Sequence, residues 1–406
     1  MRPLIVGLAI VCLLLALSER GSAEEIWLHD NTRLYGLVQG IEAEKLVIQL
    51  HSGERKSVPL EEVVAIRFMG RPNLMLQSGV QEFRFVQGGK LRGRIVGNES
   101  DLVVVESALA GTVRFDAGCL KGFVALPVMG FVGRKSEELV DGERGSASAS
   151  IDLVLDRRGT LYPCVISRFE RAQIFLDYEE SAIEKPIQLL YLSGVRLADA
   201  ARKSVEVLKD EVRVRVTGRD GSVVDGLLER IHMGRWYLRP DWNREALLAA
   251  RLDEIVLVQT IGGRVQYLSQ LDPQAVEERT RLTPVQPYRR DVDVQGFDLS
   301  IAGRRFPWGL GVHANSELAF GLNGRFKTFH CEVGIASRMG RRGSVVFQVM
   351  GDGKELFKSP VVRGGDEALA ISVSVEGVKR LDLKATDAGD LDLGDAAIWG
   401  AARVVR

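Results

Sequence analysis

VVFQVMGDGKELFKS, Val345 to Ser359, reads as two short strands and the turn between them. Val345-Val346-Phe347-Gln348-Val349 is rich in the β-branched and aromatic side chains that suit a pleated, half-buried surface. Gly351-Asp352-Gly353-Lys354 holds the residue types a tight reversal selects. Working outward, the same signal recurs at Phe297-Asp298-Leu299-Ser300-Ile301, Leu318-Ala319-Phe320, Ile371-Ser372-Val373-Ser374-Val375 and Leu381-Asp382-Leu383, each with one apolar face. Strands of this length separated by Gly and Asp turns predict two packed antiparallel sheets.

The rest of the chain agrees with an all-β reading. Its 406 residues exceed what one hydrophobic core usually organises, so several domains are expected. With 46% hydrophobic and 27% charged residues the composition is that of a folded protein, and 43 Gly against 7% aromatic residues favours many turns and short strands. Lys plus Arg and Asp plus Glu balance at 54 each, which supplies no positive field and argues against a nucleic-acid partner.

Residues 1–23 read as a secretory signal peptide. Arg2 gives the positive start, Leu4 to Leu17 the apolar run, and Gly21-Ser22-Ala23 a small-residue cleavage site. The run is shorter than the roughly 20 residues that span a bilayer, and no later segment reads as transmembrane. Cys12 lacks the small residues that precede a lipidated cysteine. An exported, periplasmic or extracellular protein of a bacterial envelope is therefore expected. Export permits disulfides, yet only Cys119, Cys164 and Cys331 follow the leader, without a CxxC pair, so at most one bridge is available and three small buried side chains are expected.

From Ile26 to about Thr260 one pattern repeats four times. The second strands contain Leu34-Tyr35-Gly36-Leu37-Val38, Leu91-Arg92-Gly93-Arg94-Ile95, Leu161-Tyr162-Pro163-Cys164-Val165 and Val224-Asp225-Gly226-Leu227-Leu228, with Pro163 standing where the other copies have glycine. Third strands follow at Leu46-Val47-Ile48, Leu102 to Val105, Ile174-Phe175-Leu176 and Trp236-Tyr237-Leu238. Asp30-Asn31, Gly88-Gly89, Arg158-Gly159 and Asp220-Gly221 mark the hairpins before the second strands. A glycine inside a strand marks a bulge or sharp bend that curls a short sheet on itself, so small β-barrel-like units are predicted. They faintly resemble Sm-like barrels. The expected units are residues 24–70, 80–128, 151–200 and 205–261. A solvated linker is expected over 129–150, which holds Lys135-Ser136-Glu137-Glu138 and the small-residue run Gly145 to Ser150. A short helix is expected over Ala198 to Leu208, and Tyr267 to Pro287 reads as a lead-in to the last module.

Residues 262–406 form that last module. GLGVHANSEL at Gly309 to Leu318, the opening stretch at Val345 to Ser359, and DAAIWGAARV at Asp395 to Val404 keep the order of motifs of the NPCBM family. The module resembles that family of carbohydrate-binding modules, which is related to the family-51 carbohydrate-binding modules. The resemblance implies a galactose-binding-like β-sandwich, or jelly roll, and non-catalytic recognition of a glycan or polysaccharide. It rests on Gly309, Gly311, Val312, His313, Ala314, Gly334, Gly351 to Gly353, Asp387 to Asp390, Asp395, Trp399, Ala402 and Arg403. Two places depart from the pattern. Ala336-Ser337 stands where the family carries two aspartates, and Asp395-Ala396-Ala397-Ile398-Trp399 lacks a histidine and an acidic residue.

A sugar site needs an aromatic face for the apolar side of a pyranose and fixed polar groups for its hydroxyls. Trp308, His313, Asn315 and Trp399 supply those types and are the candidate carbohydrate-binding residues. Trp399, in an apolar segment, equally reads as core, and His313 as a histidine that fixes a loop. Asp387, Asp390, Asp392 and Asp395 form a carboxylate-rich loop of the oxygen chemistry calcium prefers. A structural calcium is the cofactor this offers, against the plainer reading of solvated turn carboxylates.

Glycoside cleavage would need two carboxylates about 5 to 10 Å apart in a catalytic domain, and the small units before the module leave no room for one. Glu61, Glu62, Asp253 and Glu254 sit in turns, His51 and His232 lack partners, and no GxSxG, HExxH or P-loop occurs. The expectation is a non-enzymatic carbohydrate-binding protein whose repeats act as spacer or interaction platform. The alternatives are an envelope interaction protein without sugar binding, whose partner is another envelope protein, and, last, a hydrolase.

Overall fold

A computed structural model of the chain describes residues 24–29, 32–68, 79–100, 102–127, 130–141, 151–178, 181–198, 211–280, 284–306 and 308–406. The expected leader, the Asp30-Asn31 turn, the Gly145 to Ser150 run and all but the first residue of the Ala198 to Leu208 helix lie outside them. The chain divides into two compact units, Met1–Gly263 and Arg264–Arg406. No described helix is long and apolar enough to cross a membrane.

The first unit contains the same five-stranded unit four times. Repeat 1 is β1 Glu24–Leu28, β2 Arg33–Glu42, β3 Lys45–Leu50, β4 Arg55–Pro59 and β5 Val63–Arg67. Repeat 2 is β6 Gln81–Phe85, β7 Lys90–Glu99, β8 Leu102–Ser107, β9 Gly111–Asp116 and β10 Leu120–Ala125. Repeat 3 is β11 Asp152–Asp156, β12 Leu161–Glu170, β13 Gln173–Tyr178, β14 Ser181–Gln188 and β15 Leu192–Arg196. Repeat 4 is β16 Arg213–Gly218, β17 Val223–His232, β18 Arg235–Pro240, β19 Leu248–Arg251 and β20 Ile255–Ile261. In every repeat the strands lie in the order 4-3-2-1-5, and one 3-10 turn links the last two.

Each ten-residue second strand is bulged at one position, between Val38 and Gly40, Ile95 and Gly97, Ile166 and Arg168, and Leu228 and Arg230. A bulge bends the strand and raises its twist, which curls the sheet. The repeated glycine sits earlier and does something else. A Cβ on Gly36, Gly93 or Gly226 would lie 2.4 Å from Gln49 O, 2.4 Å from Val105 Cγ1 or 2.3 Å from Arg239 O, so its absence lets the third strand cross closely. Pairing also corrects the sequence alignment. Gly36, Gly93 and Gly226 face Glu24, Gln81 and Val214, and the residue facing the matching Asp152 is Cys164, not Pro163. Repeat 3 therefore substitutes another small residue at the crossing.

The repeats join pairwise through equivalent elements. Repeats 1 and 4 pair their last strands around Ile66 and Val258, flanked by Arg67 with Leu257 and Ala65 with Gln259. Repeats 2 and 3 do the same around Phe123 and Val195. Repeats 2 and 4 meet at Lys90 and Val223, each the first residue of its second strand. There Trp242 stacks on Phe85 at 3.9 Å, and Leu109 lies against the hairpin at Gly218. These contacts set the repeats in the order 1-4-2-3 around one core.

The expected linker is corrected by the helix α1, Gly130–Asp141. Its buried face is Gly133, Ser136 and Val140, and Ser136 lies so close to Gly194 of β15 that an added Cβ there would be 2.9 Å away. Cys119, Cys164 and Cys331 are buried and none is in a disulfide.

The second unit is a sandwich. Its strands are β21 Val265–Tyr267, β22 Ala275–Glu278, β23 Arg289–Arg290, β24 Leu299–Ile301, β25 Arg304–Phe306, β26 Gly309–His313 and β27 Ser316–Gly321. They continue as β28 Thr328–Ile335, β29 Ser344–Gly351, β30 Lys354–Lys358, β31 Val362–Arg363, β32 Leu369–Ser374, β33 Arg380–Thr386 and β34 Ala396–Val405. One sheet runs β23-β26-β34-β28-β32 with β21 on β34, and the other β22-β27-β33-β29-β30 with β31 on β29. Leu310, Val312, Phe320, Phe329, Val333 and Phe347 are among the side chains filling the space between them. The stretch read as a lead-in, Tyr267 to Pro287, holds the last residue of β21 in one sheet and the whole of β22 in the other.

Candidate functional site

The sequence singled out four sugar-contact residues, and the sandwich separates them. Trp399 lies in β34, where every residue from Ala396 to Val404 is buried, and its indole meets Phe347 edge-on at 5.1 Å. Trp308 is 2% exposed and tilts against Tyr267 at 5.2 Å. Neither ring presents a face to a sugar, so both assignments are corrected to core residues. His313 ends β26 with 5% exposure and its Nδ1 lies 2.6 Å from Ala314 O, the contact of a histidine that fixes a loop.

Asn315 is different. It joins the two sheets between β26 and β27, and its backbone exchanges hydrogen bonds with Arg279, N to O at 2.9 Å and O from N at 2.8 Å. Its side chain is held by Asp387, whose N–H donates to Asn315 Oδ1 at 3.1 Å while Nδ2 donates to Asp387 Oδ2 at 3.3 Å. The amide therefore stands fixed on the wall of a groove of about 300 Å³ that Arg279, Ser316, Glu317, Lys384 and Thr386 also line.

The groove is made by strand register. Glu277 pairs with Glu317 across β22 and β27, and Glu317 pairs with Lys384 across β27 and β33, so the three charged side chains share one outer face. Lys384 Nζ meets Glu317 at 2.9 Å and Arg279 meets Glu277 at 3.1 Å, which leaves the lining balanced in charge. Ser316, one residue before Glu317, turns inward and is 6% exposed. Its hydroxyl has no hydrogen-bond partner among the described residues. A buried hydroxyl without a partner costs about 1–3 kcal/mol, so a ligand hydroxyl reaching it would be rewarded. No aromatic side chain is among the described residues that line the groove.

Sequence reasoning missed Ser316, Lys384 and Glu317 because each is an ordinary residue on an alternating strand. Only the register of three strands brings them together, and register is not written in any one of them.

The carboxylate loop sits at the rear of this wall. Asp392 and Asp395 are wholly buried, Asp387 is nearly so, and Asp390 is exposed. Asp395 Oδ1 accepts the Ser344 N–H at 2.8 Å, and the Ser344 hydroxyl donates to Asp390 at 2.7 Å. Burial, with further help from Asp390, Asp387 and Asp392, pushes the Asp395 carboxyl up to about 7 against the Ser344 bond. Among the described residues no three His, Cys, Asp or Glu side chains are gathered as a metal shell, so the four-carboxylate calcium set is not assembled.

Comparison with known proteins bears on the second unit. Residues 264–405 match the NPCBM/NEW2 domain family. A curated protein of Renibacterium salmoninarum named "Putative endo-alpha-N-acetylgalactosaminidase" is 37% identical over 94 residues, 23% of this chain. The match spans 6% of that protein's length. Among solved structures, the CBM51 module of Clostridium perfringens GH95, in complex with methyl-galactose, is 23% identical over 35% of this chain and 99% of its own, with a TM-score of 0.32. Tandem CBM51 modules of a family 98 glycoside hydrolase from Streptococcus pneumoniae are 15% identical over 66% of this chain and 90% of their own, with a TM-score of 0.31. The C-terminal unit of this chain, over residues 264–405, is an NPCBM/NEW2 domain.

Proposed function

We propose that this protein is an exported, non-catalytic glycan-binding protein whose C-terminal sandwich holds a sugar in the groove at Asn315 and Ser316. The observation that carries the reading is the groove walled by the fixed Asn315 amide and the Lys384–Glu317 pair, beside which the Ser316 hydroxyl is buried without a partner among the described residues. Sugar hydroxyls both donate and accept, and a lining of one amide, two hydroxyl residues and two ion pairs meets both needs without net charge. The family of the C-terminal unit supports the same ligand class. The four repeats serve as spacer or interaction platform.

Binding by the full chain on a glycan array, followed by calorimetry on the glycans retained, tests the reading. Asn315→Ala and Ser316→Ala should each weaken binding by roughly tenfold or more, the loss expected when polar groups of a site go unmatched. Trp308→Phe should leave it unchanged. Retention of no glycan at millimolar concentration, or equal affinity in all three variants, would defeat the proposal. The alternative of an envelope interaction protein without sugar binding is favoured by one observation, the absence of an aromatic platform in the groove.

A further inference from the structure

We infer that the protein forms a closed dimer through repeat 3, with a second copy of this chain as the partner. Among the described residues the strand pairings between repeats each join equivalent elements: last strand on last strand twice, and hairpin on hairpin between repeats 2 and 4. A face of this fold is thus covered by its own equivalent. Among the described residues the order 1-4-2-3 leaves the hairpin faces of repeats 1 and 3 without one; the tip of the repeat 3 hairpin instead meets α1, where Lys135 Nζ donates to Gly159 O at 2.7 Å.

The equivalence is fixed by a hydrogen bond made in all four copies. The residue after the first strand donates its N–H to the last residue of the 3-10 turn: His29 to Glu62 at 2.9 Å, Val86 to Cys119 at 2.9 Å, Arg157 to Tyr191 at 2.9 Å and Arg219 to Glu254 at 2.7 Å. In repeat 2 this face is roofed by repeat 4, with Cys119 Sγ donating to Trp242 O at 3.2 Å and Leu91 fully buried. In repeat 3 the same positions are Tyr191, 59% exposed, and Tyr162, 39% exposed. Beside them Leu190 is 55% and Leu161 41% exposed. The Tyr162 hydroxyl reaches Asp156 at 3.2 Å, on the hairpin that bonds Tyr191, so the four apolar residues share one end of the repeat.

The two free faces differ in chemistry. Repeat 1 carries Arg33, Glu61 and Glu62 where repeat 3 has Leu161, Leu190 and Tyr191, and Arg33 and Tyr35 are both bonded to Glu25. A charged face at the end of an array acts as a cap. The apolar face of repeat 3 is complementary to itself, not to repeat 1, and an isologous contact closes after two copies. A dimer built this way carries two C-terminal units, which raises the avidity of a weak site.

Sedimentation equilibrium of the full chain, from micromolar to near-millimolar concentration, should show the mass rising from one chain to two. Leu190→Asp with Tyr191→Glu, which installs the residue types of repeats 1 and 4, should hold it at one chain with unchanged circular dichroism. In a Cys12→Ala background, Leu161→Cys should oxidise to a disulfide dimer, because Leu161 is the equivalent of the axial Lys90 and Val223. Arg33→Cys should not. A wild type that stays at one chain throughout, a double variant that dimerises as before, preferential cross-linking through Arg33→Cys, or growth past two chains would each overturn the inference.

Discussion

The Glu24 carboxylate accepts the Val38 backbone N–H at 2.7 Å, and the same strut recurs where Gln81 accepts from Ile95 at 3.2 Å and Asp152 from Ile166 at 2.8 Å. In each case a side chain from the first strand supports the second strand next to its bulge. Glu24 is 4% exposed, and burial pushes its carboxyl up to about 7 while the Val38 bond pulls it down. The folded protein thus prefers the protonated form. Its contribution to stability is complete below the ordinary value of 4.5 and is lost as pH climbs through 7. Glu24→Gln keeps the acceptor, as Gln81 shows, and should stabilise the first unit by roughly 1–3 kcal/mol above neutral pH while making no difference near pH 4. Urea melts of both proteins across that range check it; an equal gain at both ends would mean the proton is not the cause.

The same logic applies in the second unit at Asp395, whose carboxyl is likewise raised to about 7 and is wholly buried. Its Oδ2 has no hydrogen-bond partner while Oδ1 takes the Ser344 N–H. Asp395→Asn should flatten the loss of melting temperature that wild type shows between about pH 5 and pH 8. Millimolar calcium should leave both melting curves in place. A calcium-dependent rise in wild type that Asp395→Asn abolishes would instead put an ion among these carboxylates.

Strand-forming segments were legible from alternation and turn residues, and hairpin glycines such as Gly88, Gly159 and Gly221 have the φ of 94°, 87° and 90° that their turns need. What stayed hidden has physical reasons. The 3-10 turns Leu60–Glu62, Ala117–Cys119, Leu189–Tyr191 and Leu252–Glu254 share a conformation, but beyond a leading leucine in three of them only the first and last share chemistry. Helix α1 buries only Gly133, Ser136 and Val140, so its packing face carries almost no hydrophobic signal amid Arg134, Lys135, Glu137 and Glu138. Trp399 was ambiguous because β34 is buried on both faces, which erases the alternation that would have shown its direction.

Gly93 offers a test of the crossing. Its φ is not in the left-handed region, so substitution is a question of space alone, and a Cβ there would lie 2.4 Å from Val105 Cγ1 and 2.7 Å from Glu106 O. The first atom belongs to a side chain and can move, but the second is backbone of the neighbouring strand. Gly93→Ala should cost about 2–4 kcal/mol, in the range of overpacked cores or above it. Gly40, whose Cβ would meet nothing closer than Ile231 O at 3.9 Å, should accept alanine with little change. Similar costs at the two positions would refute the close-approach account.

The buried tryptophans separate folding from binding. Trp399 loses an edge-on contact with Phe347 at 5.1 Å if it is shortened, and it is wholly enclosed by the sandwich core. Trp399→Ala should therefore cost about 3–5 kcal/mol, the range for emptying a large aromatic site, with Trp399→Phe well below that. Where the variant remains folded, its glycan affinity should equal that of wild type, since the indole lines no part of the groove at Asn315. The reverse pattern belongs to Ser316→Ala, which removes an unpartnered buried hydroxyl with little change of volume and so should keep or raise stability while lowering affinity. Thermal melts and calorimetry on the same preparations decide the matter: a Trp399→Phe protein that melts like wild type but no longer binds would move the sugar from the groove to the core face of β34.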